Sequence, residues 1–201
     1  MDTAVQLVKT YLQANGFFTV TEYPILEVMG DGASRTVTDI DVLGLRFPGA
    51  GGFSSTASTG GLRIAPDPEL EIDDSYIEAI IGEVKEGAAS LNKAATDPAV
   101  LRAVLRRFGE LDSEVTPKLV DELARTGEAV HPAGIRVRLM VFASKPPEQK
   151  GFRYTWLSLG AIGSWLTSQI RGNWERVKAV QSKDPALGFL ILFEKALRGE
   201  S

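Results

Sequence analysis

Apolar residues along the chain keep two rhythms, and the switches between them mark out its elements. Val5, Leu7, Val8, Tyr11 and Leu12 recur at the spacing of one helical face, with Asp2-Thr3 as an N-cap before them and Asn15-Gly16 as a stop behind, so the pattern predicts a first helix. FFTVTEYPILEV at 17–28 is rich in aromatic and β-branched residues, MGDGAS at 29–34 reads as a turn, and RTVTDIDVLGLRF at 35–47 reads as a returning strand; together they predict a hairpin. From Pro48 to Asp74 both rhythms lapse into Gly, Ser, Thr and Pro with an acidic tail, PDPELEIDD, and a flexible insertion is expected there. SYIEAIIGEVKEG at 75–87 predicts a third strand. The stretch 88–111 then predicts a helix, with Val100, Leu101, Val104, Leu105 and Phe108 at helical spacing behind Pro98, which suits a first turn. A charged amphipathic piece follows near 114–127, then HPAG as a turn, then IRVRLMVFASK at 135–145 as a fourth strand. From Tyr154 onward, LGAIGSWLTSQIRGNWERVKAV and GFLILFEKAL read as helical. There is no internal repeat.

Composition narrows the possibilities. With 201 residues, 44% of them hydrophobic, the chain can build one substantial core, and residues 1–201 are expected to form a single α/β domain. The sequence has no cysteine, which excludes disulfides, zinc-thiolate sites and thiol nucleophiles. Gln6, Lys9 and Gln13 interrupt the apolar positions of the N-terminus, so neither a secretory signal nor a membrane span is expected, and the expected location is the cytoplasm. A net charge of −4 argues against a protein that coats nucleic acid by bulk attraction. Any nucleic-acid function must rest on a local basic face.

Two stretches place charge inside apolar strands. Alternation along a strand sends residues i and i+2 to one face, so Asp39 and Asp41 in VTDIDVLGL point together, as do Glu83 and Lys85 in AIIGEVK. If these strands are neighbours, carboxylates and an amine converge in apolar surroundings, which costs several kcal/mol unless a metal or partner compensates. Acid-x-Lys is a permissive pattern, and a second copy, Glu148-Gln149-Lys150, stands in the proline-rich loop KPPEQKG. The weight therefore lies in the strand context. The competing reading of Glu83 and Lys85 is a plain ion pair at a solvated strand end.

These residues resemble the PD-(D/E)XK, or restriction-endonuclease-like, nuclease superfamily, whose core follows the order αβββαβ. The resemblance covers about residues 1–145 and leaves unexplained both the insertion at about 48–74 and the helical extension at about 154–201. It implies a central mixed sheet flanked by helices, with Asp41 as the metal-binding aspartate and Glu83 and Lys85 as the acid and lysine of the motif; Ile40 stands where the literal motif has proline. Some members add an acid from the first helix. Here that helix offers only Asp2 at its edge and Gln6 inside, so Glu22 or Asp39 would have to serve. Two carboxylates are hard oxygen ligands suited to Mg²⁺ or Mn²⁺, and the Val84 carbonyl could complete the protein's ligand set. The implied reaction is hydrolysis of DNA phosphodiester bonds leaving 5′-phosphate ends, with Lys85 beside the attacking water. Nothing in the residues separates DNA from RNA, and a non-catalytic domain of the same fold that binds a protein partner or DNA is the alternative.

Cations for a phosphate backbone are available in two groups. Arg102, Arg106 and Arg107 lie about one turn apart on the second helix, while Arg136, Arg138, Lys145, Lys150 and Arg153 surround the fourth strand and its exit. His131, the only histidine, is expected at the surface in its HPAG turn. Trp156, Trp165 and Trp174 are expected to anchor a core or an interface, and the apolar C-terminal region leaves a homodimer or larger nuclease complex open. GAGG at 49–52 lacks the spacing and trailing lysine of a phosphate loop.

Overall fold

A computed structural model describes residues 2–30, 32–51, 64–109 and 114–200. The chain opens with α1 (Thr3–Ala14), capped by the Asp2 side chain, which accepts the Ala4 N–H at 2.7 Å. The hairpin follows as β1 (Phe18–Val28) and β2 (Ser34–Arg46), and then β3 (Ile77–Ala88). After a 3₁₀ turn at Lys93–Thr96 come α2 (Pro98–Phe108), α3 (Thr116–Thr126), β4 (Glu128–His131) and β5 (Ile135–Lys145). The C-terminal region supplies β6 (Thr155–Ser158), α4 (Leu159–Gly172), the single turn α5 (Trp174–Val177) and α6 (Pro185–Arg198). Among the described residues no helix is long and apolar enough to cross a membrane.

The fold is mixed α/β. Five strands run in the order β1-β2-β3-β5-β4; β1, β2 and β3 are antiparallel in turn, and β5 runs parallel to β3. Both β4 and β6 pair with β5. β4 takes its first half, from Ile135 to Arg138, in antiparallel fashion, and β6 takes Met140 to Ala143 in parallel. Alternation then divides the core between two faces. Ile80, Val42, Met140 and Phe142 pack with Val8, Tyr11 and Leu12 of α1 and with Ile162 and Leu166 of α4. Ala79, Ile81, Val137 and Leu139 pack on the other face with α2 and α3.

Three expectations need correction. The acidic half of the insertion is not a flexible segment: residues 64–74 form a strap across the end of the α1 face, with Ile64, Asp67 and Leu70 buried; the stretch 52–63 lies outside the described residues. The strap is held because its polar groups meet partners that the core would otherwise leave unsatisfied. Asp67 accepts from the Tyr11 hydroxyl at 2.8 Å, its N–H goes to Asn15 Oδ1 at 2.7 Å, and Asp74 pairs with the buried Arg46 at 2.6 Å. Next, Thr155–Ser158 is a strand where a helix was expected, because β4 covers only half of that edge of β5 and leaves the remainder free to pair. Lastly, His131 is not a surface residue. It ends β4, is buried, and its Nδ1 accepts the Ala133 N–H at 3.0 Å, so the imidazole ties down its own turn.

Candidate active site

The antiparallel ladder between β2 and β3 spans five residue pairs and stops at Val42–Gly82. The next pair in register is Asp41 and Glu83. At that point the strands part: β2 goes on with β1 alone, and β3 goes on with β5 alone. In place of a main-chain partner, the Val84 N–H is taken by Asp41 Oδ2 at 2.7 Å. The N–H and C=O of a strand residue leave on one side, so the Val84 carbonyl opens into the same fork. Gly82 makes the close approach possible. A Cβ there would lie 2.5 Å from Val42 Cγ1 and 2.9 Å from Phe142 Cε2, so only glycine lets the strands meet just before they separate.

Glu83 and Lys85 share the face that carries Ile81, and Lys85 Nζ pairs with Glu83 Oε1 at 2.5 Å. Their register partners on β5 are Val141 and Ala143, fully buried residues that pack with Ala89, Leu91, Phe152 and Trp156. This apolar wall explains the titration of the site. Burial is the largest influence on both Asp41 and Glu83 and raises the pKa of each. For Asp41 the Val84 N–H and Lys85 oppose the rise, while Asp2 and Glu22 add to it. For Glu83 the Lys85 ammonium opposes it and Asp41 adds to it. Four carboxylates thus act around a single ammonium. Each of Asp41 and Glu83 keeps one oxygen without a hydrogen bond among the described residues.

The two auxiliary candidates separate clearly. Glu22 falls between the pairs Thr21–Val42 and Tyr23–Ile40, which sets it across the hairpin from Asp41, and its φ of +53° is a left-handed conformation that costs a non-glycine residue on the order of 1–3 kcal/mol. Asp39 lies two residues further out, exposed and opposite Pro24. Asp2 acts on Asp41 from the N-terminus of α1, a role that its reading as an N-cap did not reveal. The signal was its position, since a helix packed on β2 and β3 brings its first residue to the fork.

A divalent ion fits this donor set within limits. Among the described residues no three His, Cys, Asp or Glu side chains form a ready-made cage. Mg²⁺, however, uses one or two carboxylates and fills its remaining positions with water and substrate oxygens. A half-buried Asp41 and a buried Glu83, both with raised pKa values and one open oxygen each, meet that requirement.

The expected phosphate-binding cations fall into two classes. Arg136 and Arg138 are not available. They face the α1 side, opposite Glu83 and Lys85, where Arg138 is 2% exposed and lies 3.1 Å from Glu78, which is fully buried; Arg136 pairs with both Glu78 and Glu128. They also hold the strap, through the carbonyls of Leu70 and Glu71. The physical reason is register: β3 sets Glu78 beside Arg136, so the arginines are consumed by the acid next to them. Arg102, Arg106 and Arg107 lie on the exposed face of α2, with Arg107 over the ring of Tyr23 at 5.6 Å, one residue from Glu22. Lys145 is exposed at the end of β5, and Lys150 and Arg153 are exposed beyond it, Arg153 over the Tyr154 ring. Glu148-Gln149-Lys150 lies in an exposed loop, apart from any strand.

No family model matches the chain, and neither the curated proteins nor the solved structures contain a match.

Proposed function

We propose that the chain is a divalent-metal-dependent nuclease with a restriction-endonuclease-like core, acting on DNA. The observation that carries this reading is the fork. Asp41 and Glu83 emerge side by side from two diverging strands, Lys85 is on the face of Glu83, and the Val84 N–H is locked to Asp41. The antiparallel hairpin beside β3, the parallel β5 and the helices on both faces are consistent with that core. An arrangement that loads carboxylates into an apolar setting weakens the fold, and binding a cation that later engages a phosphate is a function that offsets the cost.

Within this reading Asp41 and Glu83 hold Mg²⁺ or Mn²⁺. The bound ion supplies Lewis-acid polarisation of the phosphate and a water of lowered pKa. The protein's own groups do the rest. Burial against Val141 and Ala143 keeps bulk water from the Glu83 side and strengthens every charge interaction there. Lys85, with 35% of its side chain exposed, is poised to leave Glu83 for a substrate oxygen, where its ammonium stabilises charge that develops during attack. The Asp41–Val84 bond fixes the carboxylate whose partner strand has departed. Exposed arginines on α2 offer sequence-independent phosphate contacts.

The test is metal-dependent cleavage of linear, supercoiled, single-stranded and branched DNA by wild type, Asp41→Ala and Lys85→Ala, with folding checked by circular dichroism. The expected outcome is cleavage with Mg²⁺ or Mn²⁺ that falls at least about a hundredfold in each folded variant. A second reading, a non-catalytic binding domain of the same core, draws on the net charge of −4 and on the apolar side chains that the last helix exposes. Wild type that neither binds metal nor cuts any of the four substrates would favour it.

A further inference from the structure

The last helix is apolar on the side that faces away from the protein. α6 buries Ile191 and Glu194, while Phe189, Leu192, Phe193 and Leu197 are 62%, 64%, 50% and 58% exposed. The spacing i, i+3, i+4, i+8 sets the four in one stripe, and the two phenylalanine rings stack with centroids 6.1 Å apart. Glu194 is covered by Arg171 and Arg198, at 2.8 and 2.9 Å, so the polar side of the helix is already satisfied from within the chain. Beside the stripe lies a groove of about 1050 Å³ between α6, α4 and α1, walled by Phe189, Leu190, Leu159, Gly163, Leu7 and Gln6. Gln6 is 8% exposed, and its Nε2 makes no hydrogen bond.

We propose that this face seats a second copy of the chain, through an antiparallel α6–α6 contact about a two-fold axis close to Phe193. Three observations select a copy of the chain over an unrelated partner. An isologous contact needs one surface to supply both ridge and recess, and here the exposed stripe and the groove adjoin and share Phe189. Phe189 and Leu197 stand four residues either side of Phe193, so an antiparallel pairing centred there sets Phe189 level with Leu197 of the second copy and places opposite helix-dipole ends together. The area is adequate as well. Four such side chains, half to two-thirds exposed, present on the order of 400 Å². Doubled across the axis, with the groove walls of both copies added, this enters the range of roughly 1,200–2,000 Å² that stable interfaces bury. The orphan amide of Gln6 then gains an acceptor from the incoming copy.

The proposal is tested on the full chain by sedimentation equilibrium across a wide concentration range. Wild type is expected at twice the monomer mass, and Phe193→Glu is expected to weaken association by about thirtyfold or more. Phe193 is half exposed within one copy, so Phe193→Glu should leave the thermal melt of the diluted protein unchanged. Because the chain has no cysteine, a second measurement is clean: Phe193→Cys should cross-link to itself under mild oxidation, while Glu27→Cys on the exposed hairpin should not. Three results would overturn the proposal: a wild type that stays monomeric throughout, a dimer indifferent to Phe193→Glu, or a Phe193→Cys chain that does not cross-link.

Discussion

Replacing Arg138 with methionine separates a structural arginine from a phosphate-binding one. The Arg138 guanidinium is 2% exposed and faces a carboxylate, Glu78, with no exposure at all. Its Nη2 lies 3.1 Å from Glu78 Oε2 without the alignment of a hydrogen bond, and its Nη1 donates to the Leu70 carbonyl at 2.7 Å. Removing one member of a buried pair typically costs about 3–5 kcal/mol, because the other charge stays behind in a dry setting. Glu78 would not be wholly abandoned: Arg136 Nη1 stands 3.1 Å from its Oε1, and the Asp73 N–H donates to the same oxygen at 3.0 Å. The expected cost is therefore at the lower end, about 3 kcal/mol, plus about 1 kcal/mol for the orphaned Leu70 carbonyl. For a chain of this length that lowers Tm by about 8–16 °C. Pairing Arg138→Met with Glu78→Leu should cost clearly less than the sum of the two single changes, since the double variant leaves no unpaired charge at this pair. Urea and thermal melts of the four proteins measure the cycle. If Arg138→Met melted within about 2 °C of wild type, or the two changes were additive, the buried network would not be what holds the strap. Cleavage per folded molecule should be unaffected by Arg138→Met, whereas a phosphate-binding role would show as weakened substrate affinity.

Further outcomes follow from the site and its surroundings. Burial raises the pKa of Asp41, so its contribution to stability is present below the ordinary carboxylate range and is lost as pH rises through the folded value. In metal-free protein, Asp41→Asn should thus melt higher than wild type at mildly alkaline pH, with the difference vanishing in acid; a variant less stable at both would refute this. Mg²⁺ at about ten times its Kd should stabilise wild type by about 1.4 kcal/mol, or about 3–6 °C in Tm, and leave Asp41→Asn unmoved. Gly82→Ala forces a Cβ against Val42 and Phe142, which should cost about 1–3 kcal/mol and displace Glu83, so cleavage should fall further than the folded fraction does. Replacing Arg102 and Arg106 with alanine should leave the melt unchanged and reduce the slope of log affinity against log salt by up to about 0.9 per lost phosphate contact.

Much of the architecture follows from local pattern, and what was missed has definite causes. The hairpin, β3 and β5 are long and keep a two-residue alternation, and the helices with buried stripes keep theirs, so these were legible. β4 and β6 are four residues each, too short for any period, and they exist only because β5 offers an edge. With β4 unforeseen, His131 was read as part of a turn. Asp41, Glu83 and Lys85 could be singled out because charge in an apolar strand is conspicuous in one dimension. Arg136 and Arg138 are just as conspicuous, and they were misread because the neutralising Glu78 is set beside them by the β3–β5 register, which no local pattern encodes. The acidic strap failed for the same reason. PDPELEIDD looks like a solvated tail until Tyr11, Asn15 and Arg46 are seen beneath it.

The parting of β2 from β3 has a mechanical consequence. A sheet resists shear because each strand is stitched along its whole length, but beyond Val42–Gly82 the hairpin has no ladder to β3 and is held to the domain body by side chains, with Tyr23, Ile25 and Ile40 packed in the core that α2 covers. Main-chain stitching gives way to side-chain packing within one residue of Asp41, so the separation of Asp41 from Glu83 depends on how Ile25 and Ile40 seat against α2. Packing beneath the hairpin and the gap between the two carboxylates are therefore coupled.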